Sequence, residues 1–348
     1  MNPNIKIPLF SPFMKQPERD YPISPRENLL RAFRHEKPMW MPLLYQSTQW
    51  CFPPAYQDLP AGGPLSNMSG DSKPTDWFGT KYGFSPDVGP TPLGGIFDEI
   101  GEWREKMHFP DLDKVNWMEG LEDLVRDPSL AFATRLGSSC FERLHSSEGF
   151  EQCLCDILTE PEECTAFFER VADYRIDSFR RMHKLLHFDY VINHDDWSNA
   201  RSSFFSMQTF EETLLPSAIR IADAVHEEGC IYMAHCCGKM DVFVPYFVND
   251  IHADALEIQG INDIRAILDQ YGAQITPMFT ADPYIMYDPE TTEEQARAYA
   301  REIVDHYGAQ SCDGAGVVLR MHGDQPQSYY PFLDELYNYS LEKYAALQ

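Results

Sequence analysis

The segment Ala234–Asp241, "AHCCGKMD", sets an imidazole and two neighbouring thiols directly after the apolar run "CIYMA". Side chains alternate along an extended chain, so His235 and Cys237 point the same way and Cys236 points the other. His-x-Cys at a strand end can hold Zn2+. That ion takes imidazole nitrogen, thiolate sulfur and carboxylate oxygen, with three protein ligands and one open position in catalytic sites. Two later segments offer a third donor. "ADAL" runs into Glu257 and Gln259, and "GVVLRM" ends at His322-Gly323-Asp324. The third ligand is Glu257 or His322, and the sequence does not choose between them. After "DYVIN" come His194, Asp195, Asp196, Trp197, Ser198, Asn199 and, two residues on, Arg201. Asp195, Asp196 and Asn199 have the chemistry to orient a substrate or supply a proton, or to cap a helix. Arg201 could pair with a substrate carboxylate.

For these groups to meet, the fold must bring distant strand ends together. Apolar runs at 39–44, 130–136, 189–196, 230–235, 253–259, 275–280 and 316–322 read as strands, and amphipathic helical patterns at 161–187, 208–228, 239–249, 261–271, 291–308 and 328–347 separate most of them. Short buried strands alternating with helices predict a parallel sheet. About eight such units predict an α/β fold closed as a (β/α)8 TIM barrel, in which reactive groups collect at the C-terminal ends of the strands. Residues 1–24 read as a Pro-rich arm and 25–348 as one barrel domain. "SPRENLLRAF" opens that domain as a helix, with Ser24 as N-cap, Pro25 in the first turn and Glu27 completing a capping box.

Residues 46–110 show no sustained period and read as a long irregular loop after the first strand, a length that points to function. Tyr45, Trp50, Trp77, Phe78 and Tyr82 are the aromatic candidates for a substrate wall. "RLGSSCFERLHSSEGFEQ" (135–152) follows another strand end; Arg135, Cys140, Glu142, His145 and Glu148 read as helix-surface charge, with substrate contact at the mouth as the second reading.

The composition excludes several functions. Lys+Arg number 28 against 54 Asp+Glu, a net charge of −26, which repels nucleic acid and anionic membranes. No apolar run reaches the ~18 residues of a membrane span. The first 25 residues carry no signal-like apolar stretch, which predicts a cytoplasmic protein with its nine cysteines reduced.

Four segments, "SPRENLLRAFRHEKPMWMPLL", "DWFGTKYGF", "DDWSNARSSFFS" and "AHCCGKMDVFVPYFV", resemble the uroporphyrinogen decarboxylase superfamily, most closely its corrinoid-dependent methyltransferase branch. The resemblance runs from about residue 24 to the end. It implies a (β/α)8 barrel and a zinc held by His235, Cys237 and a ligand after the last strand. Related thiol-methylating enzymes carry Gly-Cys-Gly at that last position, where this chain has Met321-His322-Gly323. Glu257 resembles the carboxylate ligand of cobalamin-independent methionine synthases. The decarboxylases themselves hold a polycarboxylate with an Arg-rich motif, but "MPLLYQSTQWCFPPAY" (41–56) contains no Arg or Lys. A polyanion without cations in its pocket is electrostatically disfavoured, so decarboxylation is rejected. The resemblance therefore implies removal of a methyl group from a small methoxylated, aromatic compound and its transfer to a corrinoid. No corrinoid-binding Asp-x-His-x-x-Gly stretch occurs, which assigns the corrinoid to a partner protein. Corrinoid-to-thiol transfer is the alternative, disfavoured by His322. A non-catalytic ligand-binding barrel is the third reading, and it predicts no stoichiometric metal. Oligomeric state is left open.

Overall fold

The structure is a computed structural model that describes residues 18–53, 56, 58, 74–85, 89–280, 284–309, 316–318 and 325–347. In chain order it contains α1 (Pro25–Phe33), β1 (Thr48–Trp50), β2 (Tyr82–Ser85), β3 (Gly89–Pro92), α2 (Trp103–Lys106), β4 (Ala131–Ser138), α3 (Cys140–Glu148), α4 (Phe150–Thr159), α5 (Pro161–Leu186) and β5 (Tyr190–His194). It continues with α6 (Met207–Thr213), α7 (Leu215–Glu227), β6 (Ile231–His235), α8 (Val244–Asn249), β7 (Ala255–Ile258), α9 (Ile264–Tyr271), β8 (Thr276–Phe279), α10 (Tyr284–Tyr287), α11 (Glu293–Tyr307), β9 (Val317–Val318) and α12 (Pro326–Ala345). Among the described residues seven strands form one sheet in the order β1-β4-β5-β6-β7-β8-β9. The strand pairs run parallel with helices between them, the α/β arrangement of a (β/α)8 barrel. Among the described residues no helix is long and apolar enough to cross a membrane.

The chain divides into two compact units, each discontinuous in sequence. The first comprises residues up to 49, 127–131 and 254 onward. Here Ser24 caps α1 as the sequence predicts, its hydroxyl accepting from Glu27 N at 3.1 Å. The Glu27 carboxylate pairs instead with Arg31, 2.9 Å away. The expected first strand at 39–44 shrinks to one parallel bridge, Leu43 with Val318. Pro42 is the reason: it lacks the N–H a longer ladder needs. Its carbonyl still accepts from Val318 N, and Leu44 N donates to Val318 O.

The second unit comprises residues 50–126 and 132–253. The irregular segment contains a short antiparallel hairpin, β2 with β3. The pattern at 208–228 is two helices, α6 and α7, because Pro216 cannot continue an existing ladder. β4 and β5 pair in register from Ala133–Tyr190 to Arg135–Ile192, then shift by one residue before Ser138–His194. That bulge passes through Gly137, whose φ of 80° suits glycine. The carbonyls it displaces are met by one side chain. Arg175 of α5, fully buried, donates to Leu136 O, Ser138 O, Tyr56 Oη and Asp58.

Candidate metal centre at the ends of β5 and β6

Strands β5 and β6 each end in histidine, and His194 and His235 are register partners. Their rings stack with centroids 4.1 Å apart and planes 12° from parallel. Beyond β6 the backbone turns at Gly238, with φ 88°. A Cβ at Gly238 would lie 2.5 Å from Asn199 O, so only glycine lets this turn lie against the 197–199 segment. The contact is then locked from both sides. Ser198 Oγ donates to Cys237 O at 2.6 Å and Lys239 N to Asn199 O at 2.7 Å.

The turn places Cys237 Sγ 3.2 Å from His235 Nε2. Asp196 Oδ1 accepts from Cys237 N at 2.6 Å and lies 3.5 Å from the same His235 nitrogen. Ordinary Zn–N and Zn–S bonds at tetrahedral angles separate two donors by about 3.5 Å, the spacing that His235 Nε2 keeps to both Cys237 Sγ and Asp196 Oδ1. Donor atoms of His194, Asp196 and His235 also lie within 4.8 Å of one another. An imidazole binds a metal in its ring plane, however, and two parallel stacked rings cannot both hold one ion in plane. Of the two rings, His235 is the one whose Nε2 also meets Cys237 and Asp196. Burial, reinforced by the Asp196 carboxylate, pushes the Cys237 thiol far above its usual range; a cation is what would make it a thiolate. Cys236 is fully buried on the opposite side, its sulfur accepting from Trp197 N at 3.3 Å. Glu257 lies on β7 in the other unit, 9% exposed. His322 lies outside the described residues.

Asp195 is 4% exposed and reaches the start of α3. Its oxygens accept from Glu142 N at 2.9 Å and Phe141 N at 3.3 Å. It thereby caps α3, whose own N-cap Ser139 makes no side-chain cap bond. Asn199 closes a turn, with Oδ1 accepting from Arg201 N at 2.8 Å and Ser202 N at 3.2 Å. Arg201 is exposed.

Helix α3 departs most from expectation. Its charged residues are not on a surface: Glu142 is 8% exposed and Arg143 is fully buried. Glu142 Oε2 sits 2.9 Å from His194 Nδ1. Burial alone would discharge both partners, but the attraction prevails; it holds Glu142 well below the usual carboxylate range and, with Asp196, raises His194 to about 9. This carboxylate–imidazole pair fixes the ring stacked on His235, the role orienting groups play around metal sites. The sequence puts His194 at a strand end but assigns it no role. The matching endings "YVINH" and "IYMAH" were the available signal.

The aromatic candidates divide. Phe78 and Tyr82 are 4% and 1% exposed. They pack around Arg143, whose guanidinium lies 4.2 Å from the Phe78 ring centroid and 2.6 Å from Asp76 Oδ2, itself 3.3 Å from Tyr82 Oη. Trp77 joins Tyr56 and Trp117 in an edge-packed cluster. Tyr45 is half-buried in the first unit. Trp50 stands apart from these. It stacks with Phe52, meets Tyr190 edge-on at 5.9 Å and has the Arg135 guanidinium 5.9 Å from its ring centroid. A cavity of about 720 Å³ in the first unit, lined by Tyr21, Trp40 and Tyr337 among others, contains none of the metal donors.

Fold and site together define an α/β barrel protein with nitrogen, sulfur and oxygen donors gathered where two adjacent strands end. The uroporphyrinogen decarboxylase (URO-D) family model matches residues 142–318, just over half of the chain, and the chain belongs to that family. Among solved structures it is similar to a methyltransferase from Methanosarcina mazei, at 12% identity and a TM-score of 0.62, covering 93% of this chain and 99% of that one. A candidate alpha-L-fucosidase from Bacteroides thetaiotaomicron aligns at 13% identity over 73% of this chain and 78% of its own, with a TM-score of 0.33 too low to inform the fold. No curated protein matches the sequence.

Proposed function

We propose that this protein is a zinc-dependent methyltransferase that demethylates a small methoxylated aromatic compound and passes the methyl group to a corrinoid carried by a separate protein. The observation that carries the reading is the convergence of His235 Nε2, Cys237 Sγ and Asp196 Oδ1 within 3.5 Å of the first atom. A shared fold with the Methanosarcina mazei methyltransferase supports the reaction class. His235, Cys237 and Asp196 would hold the ion, with Glu257 or His322 as the further donor. Bound there, Zn2+ would supply Lewis-acid polarisation of the ether oxygen, making the demethylated product a better leaving group.

The remaining chemistry belongs to the chain. Glu142 keeps the His194 ring fixed against His235, with Nδ1 occupied and the other nitrogen left for the site. Asp195 acts one step removed, by anchoring the N-terminus of α3 that carries Glu142. Asn199 shapes the loop that presents Asp196. Trp50 offers an aromatic face for the substrate ring.

The test combines metal analysis with turnover. Wild type should bind one Zn2+ and form methylcobalamin from cob(I)alamin and at least one methoxylated aromatic. His235→Ala, Cys237→Ala and Asp196→Ala should lose metal, and whichever of Glu257→Ala and His322→Ala also loses it identifies the further ligand. Unchanged metal content in all five, or no transfer from any methoxylated compound, would refute the proposal.

A further inference from the structure

Arg135 lies on the same face of the sheet as His194 and His235. In a parallel ladder, register partners point the same way, and alternate residues of one strand share a face. Arg135 pairs with Ile192, and Tyr190, Ile192 and His194 alternate on β5. His194 in turn pairs with His235. The Arg135 side chain therefore stands beside Ile192, one alternation before the His194–His235 pair. That step is two residues along the strand, roughly 6.6 Å. Arg135 is only 9% exposed.

Its neighbour sharpens the chemistry. The Trp50 ring, braced by Phe52 and Tyr190, lies 5.9 Å from the Arg135 guanidinium. A planar cation that grips two oxygens at once, next to an aromatic face, is suited to an aryl carboxylate. A cation here favours an anionic substrate against the chain's net charge of −26 and the carboxylates of Glu142, Asp195 and Asp196 near the strand ends.

Building on the function proposed above, we propose that Arg135 determines specificity by binding the carboxylate of a methoxylated aromatic acid whose ring lies against Trp50. Arg201, exposed on its loop, is not required for this contact.

Binding and turnover test the inference separately. Zn2+-loaded protein is titrated with 4-methoxybenzoate and with neutral 4-methoxybenzyl alcohol by calorimetry, for wild type, Arg135→Gln and Arg135→Lys. Wild type should bind the acid at least tenfold more tightly than the alcohol. Arg135→Gln should lose that preference while its affinity for the alcohol stays within twofold, and Arg135→Lys should keep part of it. Equal binding of acid and alcohol by wild type, equal weakening of both in Arg135→Gln, or no binding of either would overturn the inference. Should Arg135→Gln fail to fold, as judged by circular dichroism, the wild-type preference and Arg135→Lys decide. Methyl transfer to cob(I)alamin is assayed in parallel. Acid-selective binding without transfer from any compound would refute the methyltransferase reading and leave the carboxylate site standing, whereas transfer without acid selectivity would do the reverse.

Discussion

Asp58 is the pivot of a wholly buried ion network, and replacing it by Asn should be among the most damaging single changes outside the metal centre. Asp58, Asp76, Arg143 and Arg175 have fully buried side chains; two carboxylates face two guanidiniums, so the cluster is neutral. Asp58→Asn leaves one buried positive charge uncompensated. Breaking a buried pair in this way costs about 3–5 kcal/mol, a large part of the ~5–15 kcal/mol that holds a typical protein together. The unfolding entropy of a 348-residue chain is about 0.7 kcal/mol/K, so a loss of about 4 kcal/mol should lower Tm by about 5 °C. A control is available in Arg104–Glu163, an exposed pair, where Glu163→Gln should cost well under about 1 kcal/mol. The assay is calorimetry of both variants beside wild type, with Asp58→Asn/Arg175→Leu as a third protein in which the charge count is again balanced. The double variant should recover part of the loss unless the bulge carbonyls that Arg175 satisfies dominate, which comparison with Arg175→Leu alone resolves. The reasoning is refuted if Asp58→Asn unfolds within a degree of Glu163→Gln.

Gly238→Ala should displace Cys237, since the left-handed backbone alone costs about 1–2 kcal/mol and the added carbon would meet Asn199 O at 2.5 Å; metal analysis should show sub-stoichiometric Zn2+. Glu142→Gln should drop the His194 pKa from about 9 by about one unit or more, read by NMR titration of the metal-free protein, and an unmoved resonance would contradict the pairing. Glu148 is raised to about 8 by burial and by Asp156. Its folded form holds a proton that the unfolded chain releases near the ordinary carboxylate value, so its contribution to stability is largest at low pH and is lost as pH rises through 8. Discounting for partial exposure, Glu148→Gln should flatten the fall in stability between pH 5 and 8.5 by about 2 kcal/mol, measured by denaturant unfolding across that range.

The helical and strand rhythm from residue 130 onward was legible because each strand there is a short apolar run closed by a polar end, as in "YVINH" and "IYMAH". His235 and Cys237 were legible for the same reason: two-residue spacing at a strand end fixes their common direction. The first strand was misjudged because apolar composition hid the effect of Pro42 on hydrogen bonding. Glu142 looks solvated in any local window, and so does Arg143, which nothing in the sequence singles out. Their partners, His194, Asp58 and Asp76, lie 52, 85 and 67 residues away, and only the fold pairs them. Asp195 has the same history: as a cap for α3 it serves a helix that precedes it in the chain.

The short contact at Leu43 has a dynamic consequence. Between residues 42–44 and Val318 the ladder consists of the two hydrogen bonds that Pro42 permits, while β5 and β6 are joined over five residue pairs. Local opening favours segments with few protected amides, so deuterium should enter at Leu44 and Val318 well before it reaches Ile192 or Met233. The first unit would then breathe along this edge while the strands bearing the metal donors stay closed.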